Sequence, residues 1–244
     1  MSAPRPEIDV TKGTIRLRTF HIVRRIVIWL LKLIFRFDIR GEGNVPAEGP
    51  FILVSNHLHN LDPVFTVAAS PRRVQYMAKI ELFKVPVIRR IIRWVGAFPV
   101  NRGKMDREAI RHGQAVLKAG YGLGIFPEGT RSLTMKIHKV LPGAGLFAVK
   151  GDVVIVPCAI TGSERLPFNG KKQHRRDETM PEPGHKGVRI TFGEPFRVPT
   201  EIDGVRTNAE AATHYMMSRV AALLPEPYRG IYSVAQSNVI EIDA

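Results

Sequence analysis

Phe51-Ile-Leu-Val-Ser-Asn-His57-Leu-His-Asn-Leu-Asp62-Pro63-Val-Phe-Thr-Val-Ala-Ala69 changes character halfway along its length. An unbroken apolar run ends at Ser55, as expected of a strand buried on both faces. A helix is expected over Pro63–Ala69, because Asp62 is a favoured N-cap and Pro63 suits the first helical position. The same alternation recurs on either side. Further strands are expected at Val74–Ala78, Ala97–Val100, Gly122–Phe126, Val153–Ile160 and Val188–Phe192. Helices are expected at Thr14–Phe37, Pro86–Val95, Met105–Ala119, Gly143–Lys150 and Asn208–Leu224. Strands alternating with helices specify an α/β fold with a largely parallel central sheet flanked by helices. No repeat of fixed period is present.

In such sheets, ligand sites form in the loops at the carboxyl ends of the strands. The loop from Asn56 to Leu61 occupies such a place. A turn there can fold Asp62 back toward His57, fix one ring nitrogen as N–H and leave the other as a base. That is the orienting role an aspartate plays for histidine in a catalytic triad. No serine or cysteine nucleophile is evidently paired with His57, so the pair suits activation of a hydroxyl supplied by a substrate. Spacing alone does not distinguish this pair from a core histidine followed by a capping aspartate. His57, His59 and Asp62 also offer two imidazoles and a carboxylate, as catalytic zinc sites do. The H-x-H-x-x-D spacing lacks the further histidine of metallo-β-lactamase-type hydrolases, and no metal is expected.

A second constellation, Gly124-Ile-Phe126-Pro-Glu128-Gly-Thr130-Arg131-Ser132, follows another strand. Gly129 allows close backbone approach, Thr130 and Ser132 supply hydroxyls, and the Arg131 fork suits phosphate. Glu128 either accepts from a substrate hydroxyl or fixes Arg131. Lys79 and Arg102 fall just after two other expected strands. If those strands are neighbours, Lys79, Arg102 and Arg131 form a basic pocket beside His57.

Charge extends the reading. The chain of 244 residues carries 36 Lys and Arg against 22 Asp and Glu, a formal charge of +14, which favours anionic partners. Hydrophobic residues make up 44%, enough for a substantial core. The single cysteine, Cys158, lies in an apolar strand and reads as an inert core thiol; it permits no intrachain disulfide and fits a cytosolic setting. No secretory signal is legible. Residues 1–40 hold nine Lys and Arg against three Asp and Glu, a balance of +6. At helical spacing Arg18, His21, Arg25, Lys32 and Arg36 share a stripe, with Arg16 and Arg24 beside it. Ile22, Ile26, Trp29, Leu30, Leu33 and Phe37 fill the remainder. Such a helix suits a membrane interface, with basic side chains snorkelling toward headgroups, or packing on its own domain. We therefore divide the chain into a basic amphipathic docking segment, residues 1–40, with Arg18, Arg25, Trp29, Lys32 and Arg36 as membrane contacts, and an α/β domain, residues 41–244. Pro86–Val95 is a second amphipathic segment, with Arg89, Arg90 and Arg93 on one face. Lys171–Gly187, rich in charge, proline and glycine, reads as a mobile loop.

Together these motifs resemble the 1-acylglycerol-3-phosphate acyltransferases, within the wider glycerolipid acyltransferase superfamily. The resemblance runs from about Phe51 to Gly162. Asn56, His57 and Asp62 match the family's N-H-x-x-x-x-D, which implies His57 as general base and Asp62 as its orienter. Lys79-Ile-Glu-Leu-Phe-Lys-Val-Pro86 is similar to K-x-E-L-F-x-x-P, whose lysine is associated with substrate phosphate. Gly96 and Arg102 match a glycine before a strand and an arginine after it, although Asn101 stands where the family has aspartate. Phe126 to Ser132 meet F-P-E-G-T-R-S in full, implying acceptor binding by Glu128 and Arg131. Val153–Pro157 is similar to an apolar strand ending in proline that lines the acyl site.

The resemblance implies transfer of a fatty acyl group from a thioester, acyl-CoA or acyl carrier protein, to the sn-2 hydroxyl of lysophosphatidate in phospholipid biosynthesis. It implies no cofactor beyond that co-substrate, and a peripheral or monotopic place on the cytoplasmic face of a phospholipid membrane. Another lysophospholipid or glycerol 3-phosphate is the alternative acceptor. A non-catalytic protein binding anionic lipid and a metal-dependent hydrolase are alternatives of other classes. Nucleic acid is not expected as a partner, since no recognised motif with aromatic platforms accompanies the charge.

Overall fold

The computed structural model describes residues 8–11, 17–94, 96–100, 106–150, 153–167 and 183–233. Seven strands form one sheet in the order β1-β7-β6-β2-β5-β3-β4. They are β1 (Asp38–Arg40), β2 (Phe51–Ser55), β3 (Val74–Lys79), β4 (Phe98–Val100), β5 (Gly122–Ile125), β6 (Val154–Thr161) and β7 (Arg189–Phe192). β6, β2, β5, β3 and β4 run parallel, whereas β7 pairs antiparallel with β6 and carries β1 parallel to itself. A two-stranded ribbon, β8 (Glu201–Ile202) with β9 (Val205–Arg206), stands apart from the sheet.

Every residue of β2 is buried, the consequence of helices covering both faces of a central parallel strand. Its side chains alternate between two cores. Ile52 and Val54 join Leu123, Ile125 and Ile155 in one. There they meet Val116 of α4 (Arg107–Lys118), Phe147 of α5 (Gly143–Lys150) and Met216, Met217 and Val220 of α6 (Ala209–Leu223). Phe51 and Leu53 join Val156, Cys158 and Ile160 in the other, under Leu31 of α1 (Leu17–Phe35) and Phe65 of α2 (Asp62–Ala69). Burying side chains of this size contributes roughly 1.5–3 kcal/mol each. Cys158 is fully buried, and burial pushes its thiol well above the usual range.

The expected strands and helices fall within a few residues of those observed, and the differences have local causes. Asp62 is the first helical residue rather than the cap, because its carboxylate reaches back into the preceding loop. Real caps are Asp106, accepting from Ala109 N at 3.0 Å, and Asn208, accepting from Ala211 N at 2.9 Å. β6 continues past Pro157, whose carbonyl accepts from Gly193 N at 2.8 Å. The missing proline N–H faces the point where β7 pairing stops, so no ladder bond is lost. Strand β1 was not expected at all.

On α1, Ile22, Ile26, Trp29, Leu30, Leu33 and Ile34 are exposed, Trp29 by 63% and Leu33 by 70%. Arg18, Arg25, Lys32 and Arg36 are exposed as well. Two residues depart from the expected pattern. Phe37 turns into the core after the helix ends. Arg24 points inward, donating to Ala69 O at 2.8 Å and pairing with Glu42, so it does not snorkel. Among the described residues no helix is long and apolar enough to cross a membrane. In α3 (Pro86–Trp94) Arg89, Arg90 and Arg93 are exposed.

Candidate active site

The site is built where β2 ends beside β5. Asn56 substitutes for a strand residue: its Nδ2 donates to Ile160 O at 2.9 Å and its Oδ1 accepts from Ile160 N at 2.8 Å. The side chain thus continues the pairing with β6 while the backbone turns away. At His57 both backbone groups are taken by the loop after β5. His57 N donates to Glu128 Oε1 at 2.8 Å, and His57 O accepts from Ser132 N at 2.8 Å. The two sequence motifs therefore meet backbone to loop, 71 residues apart in the chain.

His57 Nδ1 lies 2.9 Å from Asp62 Oδ2. The same oxygen accepts from Leu58 N and His59 N, each at 2.6 Å. Two backbone donors leave that carboxylate oxygen as an acceptor for the ring, so Nδ1 carries the proton and Nε2 holds the lone pair. Among the described residues Nε2 makes no hydrogen bond. Asp62 is fully buried and His57 is 6% exposed. The imidazole stacks on Phe126 at 4.2 Å and 22°, and Phe126 stacks on Tyr76 at 5.1 Å. Gly124 makes this layering possible, since a Cβ there would fall 2.3 Å from the Tyr76 ring.

Glu128 is nearly buried, and its carboxyl is pushed from 4.5 to about 8, chiefly by burial, with the Asp62 charge adding to it and the His57 N–H opposing it. Its hydrogen bond goes to the His57 backbone, a role neither sequence reading of Glu128 contained. Gly129 has φ 67, and a Cβ there would meet Leu141 Cδ1 at 2.6 Å. Thr130 is exposed and Arg131 half-buried. Arg131 lies close enough to His59 for its charge to help lower that imidazole's pKa, after the larger effect of burial. β3 pairs with β4 on one side and β5 on the other, which meets the condition that the two strands be neighbours, but Lys79 stands two strands from His57, about 10 Å away at the usual strand spacing. Its ammonium lies 3.4 Å from Glu81. Arg102 lies outside the described residues, as does most of Lys171–Gly187.

His59 has both ring nitrogens engaged. Nδ1 accepts from Leu61 N at 3.1 Å, which leaves Nε2 to donate to Pro167 O at 3.3 Å. It braces the loop instead of joining His57 and Asp62 around an ion. Among the described residues no group of three or more His, Cys, Asp or Glu is arranged to hold a metal. Sequence reasoning missed the bracing roles of Asn56, His59, Phe126 and Tyr76. Only the Asn56-His57 adjacency offered a signal.

A histidine hydrogen-bonded to a buried aspartate thus stands at the carboxyl edge of a parallel sheet, beside the loop that carries Gly129 and Arg131. The chain belongs to the acyltransferase family, whose model matches residues 36–161, just over half of it. It is 31% identical over 159 residues to the 1-acyl-sn-glycerol-3-phosphate acyltransferase of Bacillus subtilis, covering 65% of this chain and 72% of that one. It is 27% identical over 141 residues to a chloroplastic 1-acyl-sn-glycerol-3-phosphate acyltransferase of Arabidopsis thaliana, covering 57% of this chain. The chain spans about two fifths of the length of that and a similar Brassica napus relative (39% and 41%). The crystal structure of the 1-acyl-sn-glycerophosphate (LPA) acyltransferase PlsC from Thermotoga maritima shares the fold, with a TM-score of 0.60 at 23% identity, covering 86% of this chain and 83% of that one.

Proposed function

We propose that this chain transfers a fatty acyl group from a thioester to the sn-2 hydroxyl of lysophosphatidate, forming phosphatidate. The observation that carries the reading is the His57–Asp62 pair, 2.9 Å apart and buried, with the second imidazole nitrogen left for a substrate. The naming of relatives for lysophosphatidate acylation supports the choice of acceptor. In this mechanism His57 Nε2 takes the hydroxyl proton as the acceptor oxygen bonds to the thioester carbonyl. Asp62 stabilises the imidazolium. The carbon–sulfur bond then breaks, and the leaving thiolate receives the proton from His57. Glu128 holds the His57 backbone in register, and Arg131, Lys79 and Arg102 supply positive charge for the acceptor phosphate, with Gly129 and Thr130 shaping the loop around it. The donor is acyl-CoA or acyl carrier protein, and no further cofactor takes part.

The exposed apolar row of α1, flanked by Arg18, Arg25, Lys32 and Arg36, supports docking of this chain on the cytoplasmic face of an anionic membrane, with Trp29 at the interface. The test is product mass spectrometry after incubation with mixed acyl thioesters and acceptors on vesicles of anionic and zwitterionic lipid. Phosphatidate is the expected product. Vesicle binding with no acyl transfer from any donor would overturn the enzymatic reading and leave a lipid-binding protein. Trp29→Ser with Leu33→Ser is expected to lower vesicle binding at least about tenfold, the effect of withdrawing two large apolar side chains from lipid. Unchanged flotation would remove α1 from the docking surface.

A further inference from the structure

After α6 the chain returns to the active-site edge in two short turns, Glu226–Tyr228 and Gly230–Tyr232. Tyr228 is fully buried, and its hydroxyl donates to Glu164 Oε1 at 2.7 Å. Glu164, 3% exposed, lies in the turn Ser163–Arg165 directly after β6. Burial raises its carboxyl above the usual range, which suits a group held as a partner and not as a surface charge. Nothing in the acyl-transfer mechanism uses either residue.

The same two turns grip the loop that follows the Phe126–Ser132 motif. Ile137 N donates to Tyr228 O at 3.2 Å, and Ile231 N donates to Ile137 O at 2.9 Å. Ile137 is buried, so these bonds are not exchanged for water. Gly230, with φ 56, permits the approach, because a Cβ there would lie 2.0 Å from Ile137 O. The gripped loop is tied to the motif at two further points. Ser132 Oγ donates to Lys136 O at 2.7 Å, and Leu141 N donates to Pro127 O at 2.7 Å. Ser132 N in turn holds His57 O at 2.8 Å. Tyr232, hydrogen-bonded to His214 Nδ1 at 2.9 Å, sits near enough to Glu128 for that carboxylate to help burial raise its phenol.

We propose that residues 225–232 form a strap, and that Tyr228, Glu164 and Gly230 are positioning residues that hold the Phe126–Ser132 loop, and through it the acceptor, in register with His57. The strap anchors on the end of β6 on one side and on Ile137 on the other, so a shift at Tyr228 reaches Ser132 through the backbone of one short loop. The inference rests on the reading of that loop as the acceptor site.

The test compares Tyr228→Phe and Gly230→Ala with Met216→Ala, a fully buried α6 substitution in the same core that takes part in none of these hydrogen bonds. Tyr228→Phe is expected to raise the acceptor KM about three- to tenfold while the donor KM changes less than about twofold, the range one lost buried hydrogen bond spans. Amide exchange at Ser132 and Leu141 should speed up by a similar factor. Glu164→Gln keeps an acceptor oxygen for the Tyr228 hydroxyl and should retain a near-normal acceptor KM. Met216→Ala should lower the melting temperature without separating the two KM values. If Gly230→Ala fails to fold, Tyr228→Phe decides alone. An active wild type with unchanged acceptor KM and exchange in Tyr228→Phe overturns the strap. Equal changes in Tyr228→Phe and Met216→Ala overturn it too. A wild type that transfers no acyl group to lysophosphatidate overturns the acceptor reading itself, and the strap's role with it.

Discussion

Two loops leave the same edge of the sheet, with one strand between them, and they are built in opposite ways. After β2, His57 has its N–H, its C=O and one ring nitrogen all engaged, in surroundings that are almost fully buried. After β3, Lys79 is half exposed, its ammonium lies 3.4 Å from Glu81, and Ile80, Leu82 and Val85 face outward. A proton-transfer base must be held to within a fraction of an ångström, and only a buried, fully paired backbone does that. A group that attracts phosphate needs charge more than position, and an ammonium on a flexible stem supplies it from a solvated site. The difference teaches where rigidity is concentrated: around His57, not around Lys79.

Substitutions in the closed loop break the comparison hardest. His57→Ala removes the proposed base, and kcat should fall about 10²–10⁴-fold, the usual contribution of general-base catalysis. Asp62→Asn should cost a similar factor and destabilise the fold as well, because three donors converge on Asp62 Oδ2. Hydrogen bonds to a charged group are worth about 1.5–3 kcal/mol each. Single-turnover rates with circular dichroism melts separate the two effects. Near-normal turnover by folded His57→Ala would sink the assignment of the base.

Glu128 gives an intermediate effect with a pH signature. Its carboxyl is raised from 4.5 to about 8, so in the folded state it stays protonated where the unfolded chain ionises. The native state therefore binds the extra proton between those values, and this contribution to stability, full below pH 4.5, is lost as pH rises toward 8. Glu128→Gln keeps an oxygen for the His57 N–H and cannot ionise. Its urea midpoint should fall less than that of wild type between pH 5 and 8. Parallel curves would show that Glu128 titrates normally. Glu128→Ala should instead lose about 1–3 kcal/mol at every pH, the cost of an unsatisfied buried N–H.

What the sequence disclosed follows the same division. The strands and helices were legible because Phe51–Ser55 and its counterparts are apolar runs separated by helical periods and turn residues. The His57–Asp62 pair was legible only in company: five-residue spacing permits the contact, and the Phe126–Ser132 motif, Lys79 and the basic helix beside it give the spacing its meaning. Strand β1 was not, because Asp-Ile-Arg has no apolar run and owes its conformation to β7. Arg24 looked like another exposed cation of α1; the acceptor that turns it inward, Ala69 O, lies 45 residues away. Contacts such as Glu128 with His57 N and Tyr228 with Glu164 span 71 and 64 residues. Nothing in local spacing encodes them, since a carboxylate that braces a backbone and one that binds a substrate are the same residue in a sequence.

The smallest effect belongs to the open loop and sharpens the contrast from its other side. Lys79→Ala removes a half-exposed ammonium from a surface ion pair, which contributes little to stability in solvent. The melting temperature should barely move. Acceptor KM should rise by a few-fold at low salt, and the difference from wild type should shrink as ionic strength approaches about 1 M, where the Debye length is only about 3 Å. kcat should stay near normal, because the reacting atoms are set by the loop after β2. A large, salt-independent fall in kcat would mean that Lys79 is positioned as closely as His57, and that the rigid part of the site extends two strands further along the edge.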